Sequence, residues 1–267
     1  MRARQVRPFV FFILSSFVST AAFAQGTQAK PFEPQVGQAG KDVVWVPTPQ
    51  VLVEKMLDMA KVTPQDFVMD LGSGDGRTVI TAAKRGATAM GIEYNPDMVE
   101  LSKKNAAAAG QTAKATFTKA DLFETDLSKP TVITMFLLPS INMKLRPKIL
   151  DLKPGTRIVT NSFTMEEWQP DQSETVTDDC TSWCTAHLWI VPAKIDGTWQ
   201  VGSDTLSLKQ TFQNFTGTMG STTLTGGKLS GAQIEFSVGG TKYTGRVDGK
   251  MMKGTTSTGA AWSASMK

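Results

Sequence analysis

Cysteine and histidine are scarce in this sequence: among 267 residues there are two cysteines, Cys180 and Cys184, and one histidine, His187. Two cysteines are too few to supply the ligands of a structural zinc site, so we predict no bound metal. The pair, in the segment DDCTSWCTAH, either closes a small disulfide in an oxidising compartment or stays as two free thiols. His187 lies within the predicted strand AHLWIV, which favours a structural role over a catalytic one.

Long apolar stretches are also few, and the clearest one lies at the N-terminus. In MRARQVRPFVFFILSSFVSTAAFA, three arginines precede an apolar stretch over residues 9–18, and a small-x-small pattern follows at residues 22–24. The stretch is shorter than the ~20 residues that a membrane-spanning helix needs. The pattern predicts a signal peptide over residues 1–24, cleaved after Ala24, and an exported, periplasmic protein without stable membrane insertion. An uncleaved membrane anchor is the alternative.

Most of the net positive charge of the chain lies in that leader. The whole chain has 28 basic and 24 acidic residues, and three of the arginines belong to residues 1–24, which contain no acid. The remainder therefore has a net charge of only +1. A balance this close to neutral gives no reason to expect a nucleic-acid partner.

Composition divides the rest of the chain into three parts. Residues 25–42 are polar and rich in glycine, glutamine and proline, which predicts a linker. Residues 43–193 alternate short apolar stretches with helical patterns, which predicts an α/β, Rossmann-like domain with a mainly parallel sheet and a C-terminal antiparallel hairpin. Residues 194–267 hold 13 of the 23 glycines and short alternating runs, which predicts a small all-β domain arranged as a meander or barrel.

A glycine-rich turn follows the first predicted strand of the α/β part, in VMDLGSGDGR. Such a turn brings the backbone close to a ligand at the start of the next helix. A dinucleotide fingerprint would require glycine where this chain has Arg77. The acids Asp70 and Asp75 would repel a pyrophosphate, but they suit a ligand that carries a cationic amino group.

Two more carboxylates follow the next predicted strands. Glu93 ends the second strand, where it can accept hydrogen bonds from two ribose hydroxyls. Asp121 follows the third strand, where it can accept from an adenine amino group while Leu122 or Phe123 packs on the ring. Because ligands of open parallel sheets bind at the carboxyl ends of the strands, these acids together predict S-adenosylmethionine as the ligand.

The ordered set WVPTP, DLGSGDGR, GIEYNP, ADLF, FLLPS, LKPGTRIVTNSF and EEWQP resembles class I S-adenosylmethionine-dependent methyltransferases. Within them it is similar to the FAM173-like protein-lysine methyltransferases and their bacterial relatives. The resemblance implies methyl transfer to an amine, either a protein lysine or a small amine. It also implies a cofactor pocket, formed by Asp70, Gly72, Ser73, Gly74, Asp75, Gly76, Glu93, Asp121 and Leu122, and a substrate side that includes Trp45, Pro47 and Thr48.

The FLLPS segment supplies the predicted catalytic residues. We expect it to replace the asparagine-proline motif of amine methyltransferases, with Phe136, Pro139 and Ser140 orienting the amine; the alternative is that Phe136 belongs to the core. Trp45, Phe163 and Trp168 either wall an amine channel or pack in the core.

An exported, non-catalytic nucleoside-binding or protein-interaction module is the alternative function. For the β-domain, the sequence names no partner.

Overall fold

The computed structural model describes residues 1–3, 5 and 32–267, so most of the predicted signal peptide (1–24) and the first part of the predicted linker (25–42) lie outside the described residues. From residue 50 to residue 190, helices alternate with strands. They are α1 (Gln50–Met59), β1 (Phe67–Leu71), α2 (Arg77–Lys84), β2 (Thr88–Glu93), α3 (Pro96–Ala108), β3 (Ala115–Lys119), β4 (Val132–Met135), α4 (Pro139–Leu150), β5 (Arg157–Asn161), β6 (Gln172–Thr175) and β7 (Thr185–Ile190).

The seven strands form one sheet in the order β3-β2-β1-β4-β5-β7-β6. The first five strands are parallel, whereas β7 pairs antiparallel with β5 and β6 pairs antiparallel with β7. This confirms the predicted mainly parallel sheet with an antiparallel hairpin. The strand order reverses at β1, which has β2 on one side and β4 on the other, and such a reversal opens a crevice at the carboxyl ends of the strands.

Apolar side chains cover both faces of the sheet, because parallel strands are buried on both sides. One face packs against α1, α2 and α3 through residues such as Leu52 and Val79, and the other packs against α4 through residues such as Ile141 and Leu145. Local signals set the helix starts nearest the crevice. Helix α3 begins after Asn95, whose side chain accepts a hydrogen bond from the Asp97 N–H at 2.9 Å, with proline at its first position.

The last part of the chain is a closed barrel of antiparallel strands with its own apolar core. Interior glycines let neighbouring strands approach closely: a Cβ at Gly254 would lie 1.9 Å from the Thr244 carbonyl oxygen. The predicted small all-β domain is thus present. Its strands are β8 (Gly197–Val201), β9 (Asp204–Thr211), β10 (Asn214–Met219), β11 (Thr222–Ser230), β12 (Gln233–Val238), β13 (Thr241–Asp248), β14 (Met251–Thr256) and β15 (Ala261–Met266).

The barrel contacts the α/β part through a short aromatic and polar seam. Phe212, in the turn between β9 and β10, stacks on Trp168 with ring centroids 6.0 Å apart. The Gln213 side chain donates a hydrogen bond to the Gln169 carbonyl at 2.8 Å. Trp168 is fully buried in this seam and the neighbouring core, so of its two predicted positions the structure selects the core.

Cys180 and Cys184 form a disulfide in the loop between β6 and β7. Of the two states that the sequence left open, the structure therefore has the disulfide rather than free thiols. Within residues 1–3, 5 and 32–267, no helix has both the length and the hydrophobicity that a membrane span requires.

Candidate functional site

A cleft lies at the reversal point of the sheet, at the carboxyl ends of β1, β2, β3 and β4. Turns that follow these strands form its floor and walls. Residues 38–48, which precede α1 and are called the covering segment below, cover it. The lining is formed mainly by residues 38–48, 72–75, 92–95, 120–122 and 135–137. The cleft thus brings together most of the residues that the sequence predicted for cofactor and substrate.

Asp70 lies at the base of the cleft and is only 7% exposed. Burial raises the pKa of its carboxyl to about 7, with the Glu93 and Asp75 carboxylates acting in the same direction. The Thr134 hydroxyl opposes this shift by donating a hydrogen bond to Asp70 Oδ1 at 2.7 Å. A cationic group that entered the cleft would favour the ionised form of this carboxyl.

Glu93 is fixed by the backbone of the glycine turn and of the α3 start. One carboxylate oxygen accepts from the Gly74 N–H at 3.0 Å and the other from the Asn95 N–H at 2.9 Å. The side chain is therefore held in one orientation, and each of its oxygens can still accept one more hydrogen bond from a pair of neighbouring hydroxyls on a ligand.

The glycine turn approaches its neighbours too closely for larger residues. A Cβ at Gly74, where φ is +53°, would lie 2.6 Å from Trp45 Nε1. A Cβ at Gly72, where φ is +77°, would lie 3.2 Å from Leu137 Cδ2. Beside them, the buried Ser73 Oγ has no hydrogen-bond partner among the described residues. The turn thus presents its backbone to the cleft, whereas the Ser73 hydroxyl is enclosed beside β2, where a Cβ at Gly91 would lie 2.5 Å from it.

Asp75 is paired within the protein. The Arg77 guanidinium forms a fork with it, from Nε to Oδ1 at 3.0 Å and from Nη2 to Oδ2 at 2.6 Å, and donates from Nη1 to the Thr48 carbonyl at 2.9 Å. Arg77, which in the sequence served only to exclude a dinucleotide fingerprint, therefore connects the turn to the covering segment. Because Asp75 is neutralised by Arg77, Asp70 and Glu93 are the strand-end carboxyls of the cleft that have no cation as a partner among the described residues.

Asp121 is also paired. It accepts from the Phe123 N–H at 2.9 Å and from Lys41, whose ammonium lies 4.8 Å from the Tyr94 ring centroid. The Lys41 hydrogen bond is the main cause that lowers the pKa of Asp121. Neither residue was predicted for the site: Lys41 lies in the predicted linker and belongs to no motif, and Tyr94 belongs to the motif GIEYNP, which predicted a role only for Glu93.

Five of the remaining predicted residues line the cleft: Trp45, Pro47, Thr48, Leu122 and Phe136. The others lie outside it, as follows.

Pro139 and Ser140 do not line the cleft; they form the exposed first turn of α4. Gly76 does not line the cleft, and a Cβ there would meet the Phe117 ring at 2.7 Å. Within the FLLPS segment, the residues that line the cleft are Phe136 and Leu137.

An aromatic cluster adjoins the cleft at Phe136. Phe136 stacks on Phe163 with centroids 6.0 Å apart, and Trp183 lies against both rings, at 5.8 Å and 5.2 Å. His187 lies elsewhere in the hairpin, with Nδ1 2.8 Å from Ser173 Oγ, and burial lowers its pKa.

Comparison with known proteins shows which family has a similar sequence and fold. A family model, the ANTKMT methyltransferase domain, matches residues 70–172. A protein-lysine N-methyltransferase of Saccharolobus islandicus (strain REY15A) is 41% identical over 152 residues, which are 56% of this chain and 94% of that relative. The chain belongs to this family of class I, S-adenosylmethionine-dependent methyltransferases.

Two further relatives support this membership. The adenine nucleotide translocase lysine N-methyltransferase of Mus musculus is 38% identical over 120 residues, which are 44% of this chain and 52% of that protein. A solved RNA methyltransferase of Salinibacter ruber, in complex with S-adenosyl-L-homocysteine, is 44% identical, with a TM-score of 0.53; the match covers 56% of this chain and 96% of that one. The resemblance expected from the sequence motifs is confirmed.

Proposed function

We propose that this methyltransferase transfers a methyl group from S-adenosylmethionine to the side-chain amine of a protein lysine. The observation that carries the proposal is the cleft itself, which has carboxyls suited to an amino-acid-bearing nucleoside at one end and an aromatic surface at the other. The archaeal and mouse relatives, both lysine N-methyltransferases by name, agree with this acceptor.

The described residues fit the cofactor. Glu93, already oriented by two backbone N–H groups, would accept from the ribose hydroxyls. Asp70 would face the cationic amino group, and the backbone of the glycine turn would meet the rest of the amino-acid part. Asp121 would accept from the adenine amino group once Lys41 moves aside. When bound, S-adenosylmethionine supplies an electrophilic methyl group on a sulfonium sulfur.

The chain's own contribution to the reaction is to prepare and place the amine. A lysine side chain has an unperturbed pKa of about 10.4, so its nitrogen must lose a proton before it can accept a methyl group. Apolar side chains next to the reacting nitrogen, Leu137 among them, disfavour the charged ammonium and so lower the pKa of an amine that enters beside them. They also exclude water and restrict the orientation of the nitrogen.

RNA is the acceptor named for the Salinibacter relative, and charge argues against it here. Outside residues 1–24 the net charge is +1, and the loop before β7, which carries Trp183 of the aromatic cluster, also carries Asp178 and Asp179. An acidic loop attracts a basic peptide and repels a phosphate backbone.

A transfer assay with the purified full chain distinguishes these acceptors. Labelled S-adenosylmethionine is incubated separately with a lysine-containing peptide, with the same peptide in which arginine replaces lysine, and with a mixed RNA. We expect label in the lysine peptide alone. Label in RNA alone, or cofactor binding without any transfer, would contradict the proposal, and the latter result would indicate a non-catalytic binding module.

Export to the periplasm is part of the same proposal. It is supported by the leader pattern over residues 1–24 and by the Cys180–Cys184 disulfide, since disulfides persist mainly in oxidising compartments. Fractionation of cells and N-terminal sequencing would test it. A mature chain that begins at Gln25 in the periplasmic fraction is expected, and an intact leader in the cytoplasm would contradict it.

A further inference from the structure

The loop between β6 and β7 carries a residue that neither the motifs nor the relatives assign. Trp183 is 43% exposed, although its ring lies against Phe136 and Phe163. A large aromatic side chain with nearly half of its surface open to solvent, beside a ligand cleft, is typical of a binding surface.

The topology explains why three distant residues meet. Phe136 follows β4 and Phe163 follows β5, so both lie at the carboxyl edge of the sheet. Because β7 runs antiparallel to β5, the residues just before β7, including Trp183, lie at the same edge. The contact between the Ser162 N–H and the Thr185 carbonyl, at 2.7 Å, holds the two chain segments together there.

The disulfide closes the short loop that presents Trp183. Trp183 adopts a left-handed backbone conformation with φ of +57°, which is uncommon for a bulky residue and persists only where the surroundings enforce it. Its immediate neighbour is Cys184, which is bonded to Cys180 and whose carbonyl accepts from the Val176 N–H at 3.0 Å. The cross-link and the hairpin together therefore set the position of the ring.

We propose that Phe136, Phe163 and Trp183 form the wall of the acceptor channel and that Trp183, held by the disulfide loop, binds the alkylammonium of the acceptor. This inference rests on the proposed function and names the surface that recognises its substrate class. Aromatic faces attract ammonium groups and also accommodate the methylated products. Asp178 and Asp179 are exposed in the same loop and give it negative charge.

The test uses a product-like probe and needs no turnover. Calorimetry of the full chain with acetylated, amidated Nε-trimethyl-lysine measures acceptor binding directly. Loss of one cation–aromatic contact lowers affinity by about 5- to 10-fold, so we expect this loss for Trp183→Ala and about twofold for Trp183→Phe. Ser182→Ala, in the same exposed loop but outside the aromatic cluster, is the matched control and should bind like the wild type.

A second variant tests the role of the disulfide. Cys180→Ser combined with Cys184→Ser keeps Trp183 but releases the loop, and we expect a probe affinity between those of the wild type and Trp183→Ala. Equal probe binding by the wild type and Trp183→Ala, or no probe binding by the wild type, would overturn the inference.

The proposed function is tested by separate measurements on the wild type: binding of S-adenosylmethionine, and transfer of label to the lysine peptide. Failure there, with the expected pattern of probe binding intact, would reject the reaction while leaving the binding surface. Normal transfer with unchanged probe binding in Trp183→Ala would reject only the inference.

Discussion

The two ends of the cleft are constructed differently. The cofactor end consists of carboxylates and glycines that lie at the ends of β1, β2 and β3 or just after them. Glu93 and Asp121 each accept a hydrogen bond from a backbone N–H two residues further on. The acceptor end consists of aromatic rings that come from β4, β5 and the disulfide loop before β7, which meet only in the folded sheet. The polar residues of the cofactor end can therefore be located from their places at the strand ends, whereas the residues of the apolar wall are known only once the topology has brought distant segments together.

The largest expected effect is at the cofactor end. Glu93→Ala should weaken S-adenosylmethionine binding about 100-fold, because two hydrogen bonds to a charged acceptor are lost together. Calorimetry measures this loss. Glu100→Ala, an exposed carboxylate on α3 that pairs with Lys103, is the control and should bind normally. Equal affinities of the two variants would remove Glu93 from the pocket.

Asp70 gives the cofactor end a pH dependence. Its pKa is raised from 3.8 to about 7, so affinity for a cationic ligand should increase as pH rises through 7 and the carboxyl ionises. Asp70→Asn should bind about 10-fold more weakly at pH 8 and lose this dependence. A titration of affinity between pH 5 and 8 that shows the same slope in both proteins would contradict the assignment.

The raised pKa of Asp70 also affects stability. Its contribution to the free energy of unfolding falls as pH rises, whereas the affinity for a cationic ligand rises. Between about pH 4 and 7 the native chain retains a proton on Asp70 that the unfolded chain has released, so this group lowers the free energy of unfolding as pH rises. Thermal unfolding without ligand should therefore show a weaker pH dependence in Asp70→Asn. An unchanged dependence would place Asp70 outside the titrating groups.

Gly74 tests whether the turn needs space as well as conformation. Gly74→Ala should weaken cofactor binding on the order of 10-fold, because its Cβ would meet Trp45 at 2.6 Å and displace the covering segment. Gly110→Ala is the matched control: Gly110 also has a positive φ, of +68°, but a Cβ there would meet no atom within 4 Å. Backbone strain alone should lower the stability of both, by ~1 kcal/mol, but the affinity of only the first.

The smallest expected effect is at the start of α4. Ser140 is exposed and lies outside the cleft, so Ser140→Ala should change transfer to a lysine peptide by no more than about twofold. Phe136→Ala, which removes a ring that lines the cleft, should raise the KM for the peptide more. A large loss of kcat in Ser140→Ala would restore the role that the FLLPS motif suggested from sequence.

Sequence predicted the cofactor end better than the acceptor end for a physical reason. Gly72, Glu93 and Asp121 could be located because each directly follows an apolar strand, and parallel strands bring their carboxyl ends together. Lys41 and Trp183 could not, because each reaches the site across a long sequence separation and no local pattern marks the contact.

The Arg77 fork with Asp75 was also hidden, although the two residues are close in sequence, since sequence does not show which charge turns inward. The mainly parallel sheet and the all-β nature of the last part followed from periodicity and glycine content. Closure of the barrel required the pairing of β9 with β10 and of β15 with β8.

A crossed binding measurement tests most directly the claim that the two ends act separately on one reaction. Affinities for S-adenosyl-L-homocysteine and for the trimethyl-lysine probe are measured in the wild type, Glu93→Ala and Trp183→Ala. We expect that Glu93→Ala loses the nucleoside and keeps the probe, while Trp183→Ala keeps the nucleoside and loses the probe. Parallel loss of both ligands in either variant would contradict this claim.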